Sequence, residues 1–465
     1  MSVNASFPKN EGLVNDFVAQ TLSGHSFLLS NVMKANYKKK NGGVADLEWK
    51  ASFVDKRGVL NVSETKMSQL LRQRNFQSEA TGSLLAFTIP HLMFNLNGKV
   101  MFDWQRVSAG LNSLSDASGS EQKTWLLGAF VSPKILLHFG NRLQWLVYVP
   151  VGVKYYHSAD GSLDYDKRFF STCPYSNLTY KPTGRLSFDL TTICEESMPS
   201  VLSQMVLKHY VNYRTTMSNP HQVEIAPNRS VKLAFTSSYK DIIKMLFGGV
   251  TLSYVDARNG NSMGYQVVDD VVNYIVQPQS TKNRVWQIEQ TVAKGFFRWN
   301  SKISESLSIG TSRSEYYVGV DCHDGRSDYL QAKISYVASV RKWLNLSISN
   351  DYSVSKPYTD GKASGEVYRT FMNASSFTFW LGKQLNVVPS VQYYHNNYFS
   401  SGRNNVFLNT VMEYYWGNAT LSLKCTNLLD SRTFHRIIDN GITRYSGEYQ
   451  LRGRTILFGI RIKII

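Results

Sequence analysis

Long apolar runs are missing from this sequence. No stretch approaches the roughly 18–20 consecutive apolar residues that a membrane-spanning helix needs, and the mean hydropathy is only −0.26. Charged residues are also scarce, at 18% of the 465 residues, compared with about 25% in soluble domains. Aromatic residues, in contrast, reach 13%. This combination is typical of a membrane β-barrel, in which only every second strand residue faces lipid.

Cysteine is rare, and no C-x-x-C pair is present. The four cysteines are Cys173, Cys194, Cys322 and Cys425, so the sequence does not indicate a zinc or redox motif. Cys173 and Cys194 flank one predicted hairpin and could form a disulfide in an oxidising compartment. Two free thiols fit the sequence equally well, so both alternatives stay open.

An export signal is missing from the first twenty residues, which have neither a basic stretch nor an apolar stretch. Because a secreted barrel needs such a signal, we expect either an upstream signal or a fragment. We predict an irregular N-terminal segment at 1–25 and a β-barrel at 26–465, without a plug domain and without the first strands.

The formal net charge is +17, which raises the question of nucleic-acid binding. The basic residues are scattered, however, and no helix-turn-helix, zinc knuckle or RNA-binding aromatic motif is present. We therefore expect no nucleic-acid partner. Contact with anionic headgroups of outer-membrane lipids explains the charge more simply.

Alternation with a period of two is the dominant pattern, and it predicts strands with one apolar face. The last strand shows it most clearly, since its apolar side chains alternate with Thr455, Gly459, Arg461 and Lys463. We expect the apolar set to face lipid. This set is Ile456, Phe458, Ile460, Ile462 and Ile464.

Short and long connections alternate along the chain, as in outer-membrane barrels with short periplasmic turns and long external loops. The predicted short turns are Asn97–Gly98, Gly140–Asn141, Arg341–Lys342, Gly382–Leu385 and Gly417–Asn418. The predicted long loops are Val107–Lys123, His157–Asn177, Asp256–Asn283, Gly310–Asp328, Tyr352–Ala374 and Asn427–Leu451. Aromatic pairs near strand ends, such as Phe296–Phe297 and Tyr414–Tyr415, predict girdles at the headgroup level.

The pattern predicts about nineteen strands, starting near Ser26–Asn36. The fold class is therefore an all-β, antiparallel transmembrane β-barrel. If the last strand runs towards the periplasm, the first counted strand does so too. Bacterial single-chain barrels have an even number of strands with both ends periplasmic, so the count predicts that an odd number of strands is missing before it.

The C-terminus carries a motif that resembles a known family. Asn427, Leu428, Leu429 and Asp430 are followed by Tyr449, then by Arg452 and Arg454, and then by the last strand. This order looks like the C-terminal barrel portion of Bacteroidetes-type TonB-dependent outer-membrane receptors, although the chain ends in Ile rather than Phe. The likeness extends loosely from Leu137 to Ile465.

The resemblance implies a location in the bacterial outer membrane and a barrel of about 22 strands. It also implies insertion by the barrel-assembly machinery and uptake of a scarce nutrient such as a metal chelate, glycan or peptide. TonB would be a partner only if the missing plug is present. No cofactor and no covalent chemistry on the ligand are implied, so we expect no enzyme.

Candidate sites are weak at the sequence level. Asp321-Cys322-His323-Asp324 is the richest metal-ligand cluster, but consecutive residues rarely converge on one ion. Glu195–Glu196 is a second, weaker cation candidate. The ligand of a receptor should contact loop aromatics and arginines, and position alone selects these. They are Arg313, Tyr316, Tyr317, Tyr358, Arg403 and Arg436.

Two other functions remain as alternatives. The first is a barrel without a plug. It would be either a passive porin that conducts ions or a structural or adhesive barrel. An outer-membrane hydrolase would need a histidine with a nucleophile on one side of adjacent strands, for which His138, His395 and His435 are available. No catalytic spacing such as H-E-x-x-H occurs, so the sequence assigns no catalytic residue.

Overall fold

The structure is a computed structural model, which describes residues 2–6, 9–13, 19–38, 44–62, 67–112, 117–160, 164–206, 208–212, 215–268, 271–397, 403–439 and 444–463. Within these ranges the chain is almost entirely extended. Twenty-eight strand segments form one sheet, and two more form a separate hairpin. No helix in these ranges is long and apolar enough to cross a membrane.

The strand segments are numbered in chain order. They are β1 (Ser2–Ser6), β2 (Lys9–Leu13), β3 (Ala19–Lys38), β4 (Val44–Val62), β5 (Met67–Ile89), β6 (Leu92–Asn112), β7 (Ala117–Phe139), β8 (Leu143–Tyr148), β9 (Val151–Ala159), β10 (Asp164–Thr172), β11 (Tyr175–Tyr180), β12 (Leu186–Ser197), β13 (His209–Asn212), β14 (Thr215–Ser218), β15 (Asn228–Asp241), β16 (Leu246–Asn259), β17 (Ser262–Val268), β18 (Val271–Gln277), β19 (Thr281–Phe296), β20 (Ser301–Val318), β21 (Asp321–Arg341), β22 (Leu344–Thr359), β23 (Lys362–Ala363), β24 (Tyr368–Leu381), β25 (Leu385–Asn396), β26 (Asn404–Trp416), β27 (Ala419–Thr426), β28 (Thr433–Asp439), β29 (Arg444–Gln450) and β30 (Thr455–Ile462).

Consecutive wall strands pair antiparallel from β3 to β30. β8 and β9 both pair with β7, so together they form one interrupted strand. β10 pairs with β9 and β11 pairs with β8, so β10 and β11 together form the next interrupted strand. Counted this way, the described ranges hold nineteen strand positions from β3 to β30, as predicted. β1 and β2 both pair with β3 and form a twentieth position. The prediction of an irregular segment at 1–25 did not anticipate this strand, because backbone pairing needs no apolar alternation in the paired segment.

The sheet has one apolar and one polar face, which confirms the all-β barrel class. Leu252, Ile288 and Ile309 are direct cross-strand partners on β16, β19 and β20, and all three are more than 40% exposed. Their chain neighbours Ser253 and Gln287 are partners on the opposite face. We call the apolar face the outer face and the polar face the inner face, since a continuous exposed apolar surface of this kind needs lipid rather than water.

Four of the five predicted turns are confirmed, and one is wrong. The chain turns at Gly140, Gly382 and Gly417, where φ is positive, and between Arg341 and Leu344. Asn97–Gly98, in contrast, lies inside β6, and the turn is at Pro90–His91. Gly98 pairs in regular register with Gly82 and Val131, so it is a strand residue and not a turn residue.

Several predicted long loops are strands that extend beyond the apolar belt. The segment Gly310–Asp328 is a hairpin of β20 and β21 whose connection is only Gly319–Val320. Most of Val107–Lys123 continues β6 and β7, and β9, β10 and β11 occupy most of His157–Asn177. These segments are polar on both faces because both faces meet water there, and polarity does not prevent backbone pairing. Longer excursions remain at 198–227, 260–280 and 427–454.

Aromatic side chains lie at both ends of the outer apolar belt. At the short-turn end, Trp299, Trp343 and Trp416 are exposed. At the opposite end, the rings of Tyr254 and Trp286 lie 4.3 Å apart. Trp286 and Phe296 on β19 are separated by roughly 33 Å along the strand, or about 23 Å at a tilt near 45°, which is close to the apolar band of an outer-membrane barrel.

Candidate functional site

A segment between β12 and β15 folds back onto the inner face. Its 3₁₀ helix, Val201–Gln204, begins at Ser200, whose hydroxyl accepts a hydrogen bond from Ser203 N. Val201 and Met205 are buried against Val107 of β6. This small apolar cluster keeps the segment against the wall, since burying such side chains stabilises by roughly 1.5–3 kcal/mol each.

Polar contacts fix the same segment to the wall. The Tyr156 hydroxyl donates to Gln204 Oε1, and the Ser158 hydroxyl donates to the same oxygen over 3.1 Å. The Gln69 side chain forms two bonds with the backbone of Tyr210, at 2.7 and 2.6 Å. Buried amides that are paired in this way hold one geometry, because breaking a bond would leave a buried group without a partner.

A second segment, between β16 and β19, joins the first. Its hairpin, β17–β18, pairs in parallel with β14 on one side, and β17 pairs in parallel with β20 on the other. The Asn261 side chain accepts from Ala226 N and donates to Glu224 O. The two segments therefore form one layer across the inner face at the end of the barrel that carries the long connections.

Two adjoining cavities lie beside this layer. The first has a volume of about 350 Å³ and lies between the two segments. The second has a volume of about 670 Å³ and lies between the inner face of β6, β7 and β9 and the ends of β12, β15 and β16, where Glu196, Arg229 and Arg258 line it. The cavities share Asn228 and Asn259.

Hydroxyl and amide groups line both cavities. Charged side chains line them as well, with Glu315 in the first and six charged residues in the second. The first cavity also includes Tyr316, whose ring stacks on Tyr265 at 6.1 Å.

Two buried hydroxyls point to ligand contact in these cavities. Ser262 lines the first cavity and Ser132 lines the second, and each is 1% exposed. Within the part of the chain that the structure describes, neither hydroxyl has a hydrogen-bond partner. Buried polar groups are normally paired with protein, water or ligand, and the described chain supplies neither hydroxyl with a partner.

A charged cluster closes the wall beside the larger cavity. Glu196 accepts from Lys154 Nζ at 2.7 Å and from Arg229 Nε at 2.9 Å, and its carboxylate is almost completely buried. This occurs where β12 extends past the end of its pairing with β11 at Tyr175↔Ile193. Glu196 is therefore held by two cations of the wall, which differs from the cation site considered for Glu195–Glu196.

The sequence candidates for ligand contact separate into different places. Tyr316 lines a cavity, as described above, whereas Tyr317 belongs to the opposite face of β20. Arg313 forms an ion pair with Asp324 at 2.7 Å. The Tyr358 ring lies under the cations of Arg326 and Lys356, at 5.3 and 5.2 Å. The structure thus places only Tyr316 of these four against the cavities.

The other two candidates are elsewhere. Arg403 is exposed just before β26, and its carbonyl accepts from Asn396 N. Arg436 belongs to β28, and its side chain lies outside the described residues. Sequence reasoning missed Ser132, Ser262, Asn228 and Asn259, because isolated serines and asparagines carry no signal that separates a cavity wall from a polar strand face.

The cluster Asp321-Cys322-His323-Asp324 does not converge. These residues begin β21, so successive side chains point to opposite faces. His323 Nδ1 contacts Asp360 at 2.8 Å, while Asp324 pairs with Arg313. The backbone N–H of Asp324, and then the His323 imidazole, lower the pKa of the turn residue Asp360. Across the described residues, no group of three potential metal ligands is found.

The cysteines and histidines also take separate positions. Cys173 and Cys194 are free thiols in the structure, which is one of the two alternatives that the sequence left open. His395 Nδ1 contacts Asn404 Oδ1 at 2.7 Å. His138 lies near the end of β7, and the side chain of His435 is outside the described residues.

The C-terminal motif forms a structural clasp. Asn427 and Asp430 both have positive φ, and the Asn427 amide bonds to Ser431 and to the carbonyl of Arg452. Asp430 accepts from Arg454 N at 2.8 Å, and Arg454 Nε donates to Leu428 O at 3.0 Å. The clasp joins both ends of the excursion 427–454, while Tyr449 belongs to β29 and Leu429 is exposed.

The predicted lipid-facing set of the last strand is exposed as far as it is described. Ile456, Phe458, Ile460 and Ile462 are each at least 60% exposed on β30, and Ile464 lies outside the described residues. They continue the outer face of β27, since Phe458 is the direct partner of Leu423. Contact of this set with lipid remains a prediction.

Comparison with known proteins gives matches to solved structures only. No protein-family model matches the sequence, and no curated protein sequence matches it. The copper transporter OprC aligns over 98% of this chain and 81% of its own, with a TM-score of 0.54 and 9% identity. The alcaligin outer-membrane receptor FauA from Bordetella pertussis aligns over 89% of this chain and 64% of its own, with a TM-score of 0.54 and 12% identity.

The ferripyoverdine receptor of the outer membrane of Pseudomonas aeruginosa aligns over 99% of this chain and 64% of its own, with a TM-score of 0.52 and 9% identity. This chain has the fold of outer-membrane receptor barrels. It spans less than two thirds of the length of the alcaligin and ferripyoverdine receptors. These three proteins are a transporter and two receptors by name.

Proposed function

We propose that this chain is the barrel of a receptor that takes up a nutrient across the bacterial outer membrane. One observation carries the proposal: an inner-face layer built from segments 198–227 and 260–280 encloses polar cavities at the end of the wall with the long connections. Ligands of barrels bind in such mouths. In this proposal, outer-membrane lipids surround the outer face and the barrel-assembly machinery inserts the chain.

The finer assignment rests on the sequence. The C-terminal clasp and last strand support a barrel of the Bacteroidetes-type TonB-dependent receptor kind. TonB is then a partner of a longer protein that includes the plug.

Metal ions and their chelates are the first ligands to test. The matched proteins are named for copper, alcaligin and ferripyoverdine. A bare ion needs converging charged ligands, and no group of three potential metal ligands is found across the described residues. The mixed hydroxyl, amide and charged lining and the Tyr316 ring therefore suit an organic chelate better than a bare ion. No bond in the ligand is made or broken, and uptake needs binding alone at this site.

Uptake by cells tests the proposal. We expect deletion of the gene to lower the uptake of radiolabelled metal chelates about tenfold or more, and reintroduction of the gene to restore it. A protonophore should abolish the restored uptake. Unchanged uptake over a panel of chelates would remove the nutrient-receptor proposal, and energy-independent passage with ion conductance in planar bilayers would support the passive porin instead.

A pair of adjacent tyrosines tests the cavity. Tyr316→Ala removes a ring that lines the first cavity and stacks on Tyr265, so we expect ligand affinity to fall about tenfold, or roughly 1.4 kcal/mol. Tyr317→Ala is the matched control, because it removes the same group from the opposite face of the same strand. Equal binding by both variants, measured by isothermal calorimetry, would place the ligand elsewhere.

A further inference from the structure

The larger cavity, of about 670 Å³, carries an excess of positive charge. Four cationic and two acidic side chains line it, and they are Lys99, Lys154, Arg229, Arg258, Glu195 and Glu196. Glu79 on β5 adds a third carboxylate, because it pairs with Lys99 Nζ at 2.6 Å. Four cations against three carboxylates leave one positive charge in excess among the described residues, so one further anion would neutralise the cavity.

Arg258 is the cation without a carboxylate partner. Lys154 and Arg229 share the carboxylate of Glu196, at 2.7 and 2.9 Å. Within the part of the chain that the structure describes, no carboxylate lies within ion-pair distance of the Arg258 guanidinium, although Glu195 lines the same cavity. The excess charge is therefore on Arg258.

The Arg258 guanidinium also keeps one edge free. Its Nε and Nη2 atoms donate to the neutral hydroxyl of Ser280, at 3.2 and 3.0 Å. These bonds use two of the five N–H donors of the group, and the described residues supply no acceptor for the other three. The edge formed by Nη1 and Nη2 can therefore donate two parallel bonds to a carboxylate or a similar oxyanion.

A second observation indicates a ligand in the same cavity. Ser132 lines it and is 1% exposed, and its hydroxyl has no partner among the described residues. A buried hydroxyl is costly unless protein, water or a ligand pairs with it. The volume of about 670 Å³ is that of a site for an organic molecule and is much larger than an inorganic anion.

We propose that the nutrient is an organic anion, whose carboxylate or similar oxyanion binds Arg258 in the larger cavity. The rest of the molecule contacts the uncharged part of the lining, which includes Ser132, Phe130 and Tyr148. The excess positive charge disfavours a cationic ligand, since like charges repel. This inference rests on the proposed uptake function and adds the charge of the ligand to it.

Two ferric hydroxamate chelates that differ in charge test the site. Acetylation of the terminal amine of ferrioxamine B gives a neutral chelate, and succinylation of the same amine gives an anionic one. By isothermal calorimetry in neutral detergent, we expect the purified 465-residue chain to bind the succinylated chelate about tenfold more tightly than the acetylated one. R258Q should bind the two chelates equally, because the free guanidinium edge is gone.

Two further variants separate the site from folding and from total charge. R258K keeps the charge but loses the edge with two donors, so it should keep a preference of about threefold for the succinylated chelate. R168Q is the matched control, because Arg168 is an exposed arginine on β10 that does not line the cavity. It should keep the full preference.

Equal binding of the two chelates by the wild type would overturn the inference, and so would failure of the succinylated chelate to bind at millimolar concentration. Equal loss of the preference in R168Q and R258Q would mean that only total charge matters, which also overturns it. If inorganic phosphate at equal concentration abolished the preference, Arg258 would be a site for a free anion instead.

The uptake assay can fail separately from this inference. Uptake of metal chelates without any preference for the succinylated chelate would keep the receptor function and remove the anion site. Binding of the succinylated chelate that depends on Arg258, without any uptake by cells, would keep the anion site and remove the receptor function.

Discussion

At the scale of single residues, the sequence indicates the C-terminal motif but not the cavity. Asn427 and Asp430 stand out in the sequence because both side chains bond to the backbone and tolerate positive φ, which the structure shows at both positions. The cavity hydroxyls of Ser132 and Ser262 carry no such signal. Their importance arises only from burial without a partner.

Asp430 gives the clasp a predictable pH dependence. The backbone N–H of Arg454, and then the Arg432 guanidinium, lower its pKa below the ordinary value of 3.8. Because the folded-state pKa is lower than the unfolded one, the stabilisation is present above the unfolded pKa and is lost as the pH falls through the folded pKa.

We therefore expect Asp430→Asn to lower the midpoint of thermal unfolding at pH 7, and the difference from wild type to shrink at about pH 3. Circular dichroism between about pH 3 and pH 7 measures the unfolding midpoints of the wild type and the variant. A difference that stays constant with pH would show that the Asp430 charge does not stabilise the clasp.

At the scale of elements, the strands follow from alternation, but their lengths do not. The hairpin of β20 and β21 continues to Val318 and Asp321, although the sequence there reads as a polar loop. Backbone pairing continues beyond the membrane because each added residue satisfies its own N–H and C=O groups, whichever side chains it carries.

Packing between strands is likewise decided by the register. A Cβ added at Gly152 would lie 2.2 Å from the carbonyl oxygen of Ala129 and 2.5 Å from the Phe130 ring, whereas one added at Gly98 would meet nothing within 4 Å. Both glycines look alike in the sequence.

We expect Gly152→Ala to destabilise the barrel by about 1–3 kcal/mol, because the backbone of β7 has to shift, and Gly98→Ala to be nearly neutral. Urea unfolding monitored by tryptophan fluorescence compares the two variants. If Gly98→Ala were the more damaging change, the register of β7 with β9 would be wrong.

At the scale of the whole molecule, the two ends of the wall differ. Short turns such as Lys342–Trp343 lie at one end, and the inner-face layer and long hairpins lie at the other. A barrel that is inserted from the periplasm keeps its short turns there, so the layer and the cavities should face the outside of the cell.

An epitope inserted at Gly319–Val320, where Val320 is 87% exposed, should be detected by antibody on intact cells. The same epitope inserted at Lys342–Trp343 should be detected only after the outer membrane is permeabilised. The reverse pattern would invert the orientation and place the cavities in the periplasm.

The sequence by itself determined the fold class, the apolar face and most of the short turns, because period-two alternation and turn-forming glycines are local properties of the chain. The last strand, Thr455–Ile462, could be assigned from its own residues alone. Only the tertiary structure decided that the segments 198–227 and 260–280 fold inward, that Tyr316 meets a cavity while Tyr317 does not, and that Arg229 and Arg258 line a cavity together with Lys154. These facts depend on register between residues far apart in the chain, and the register is set by the summed backbone pairing of whole strands.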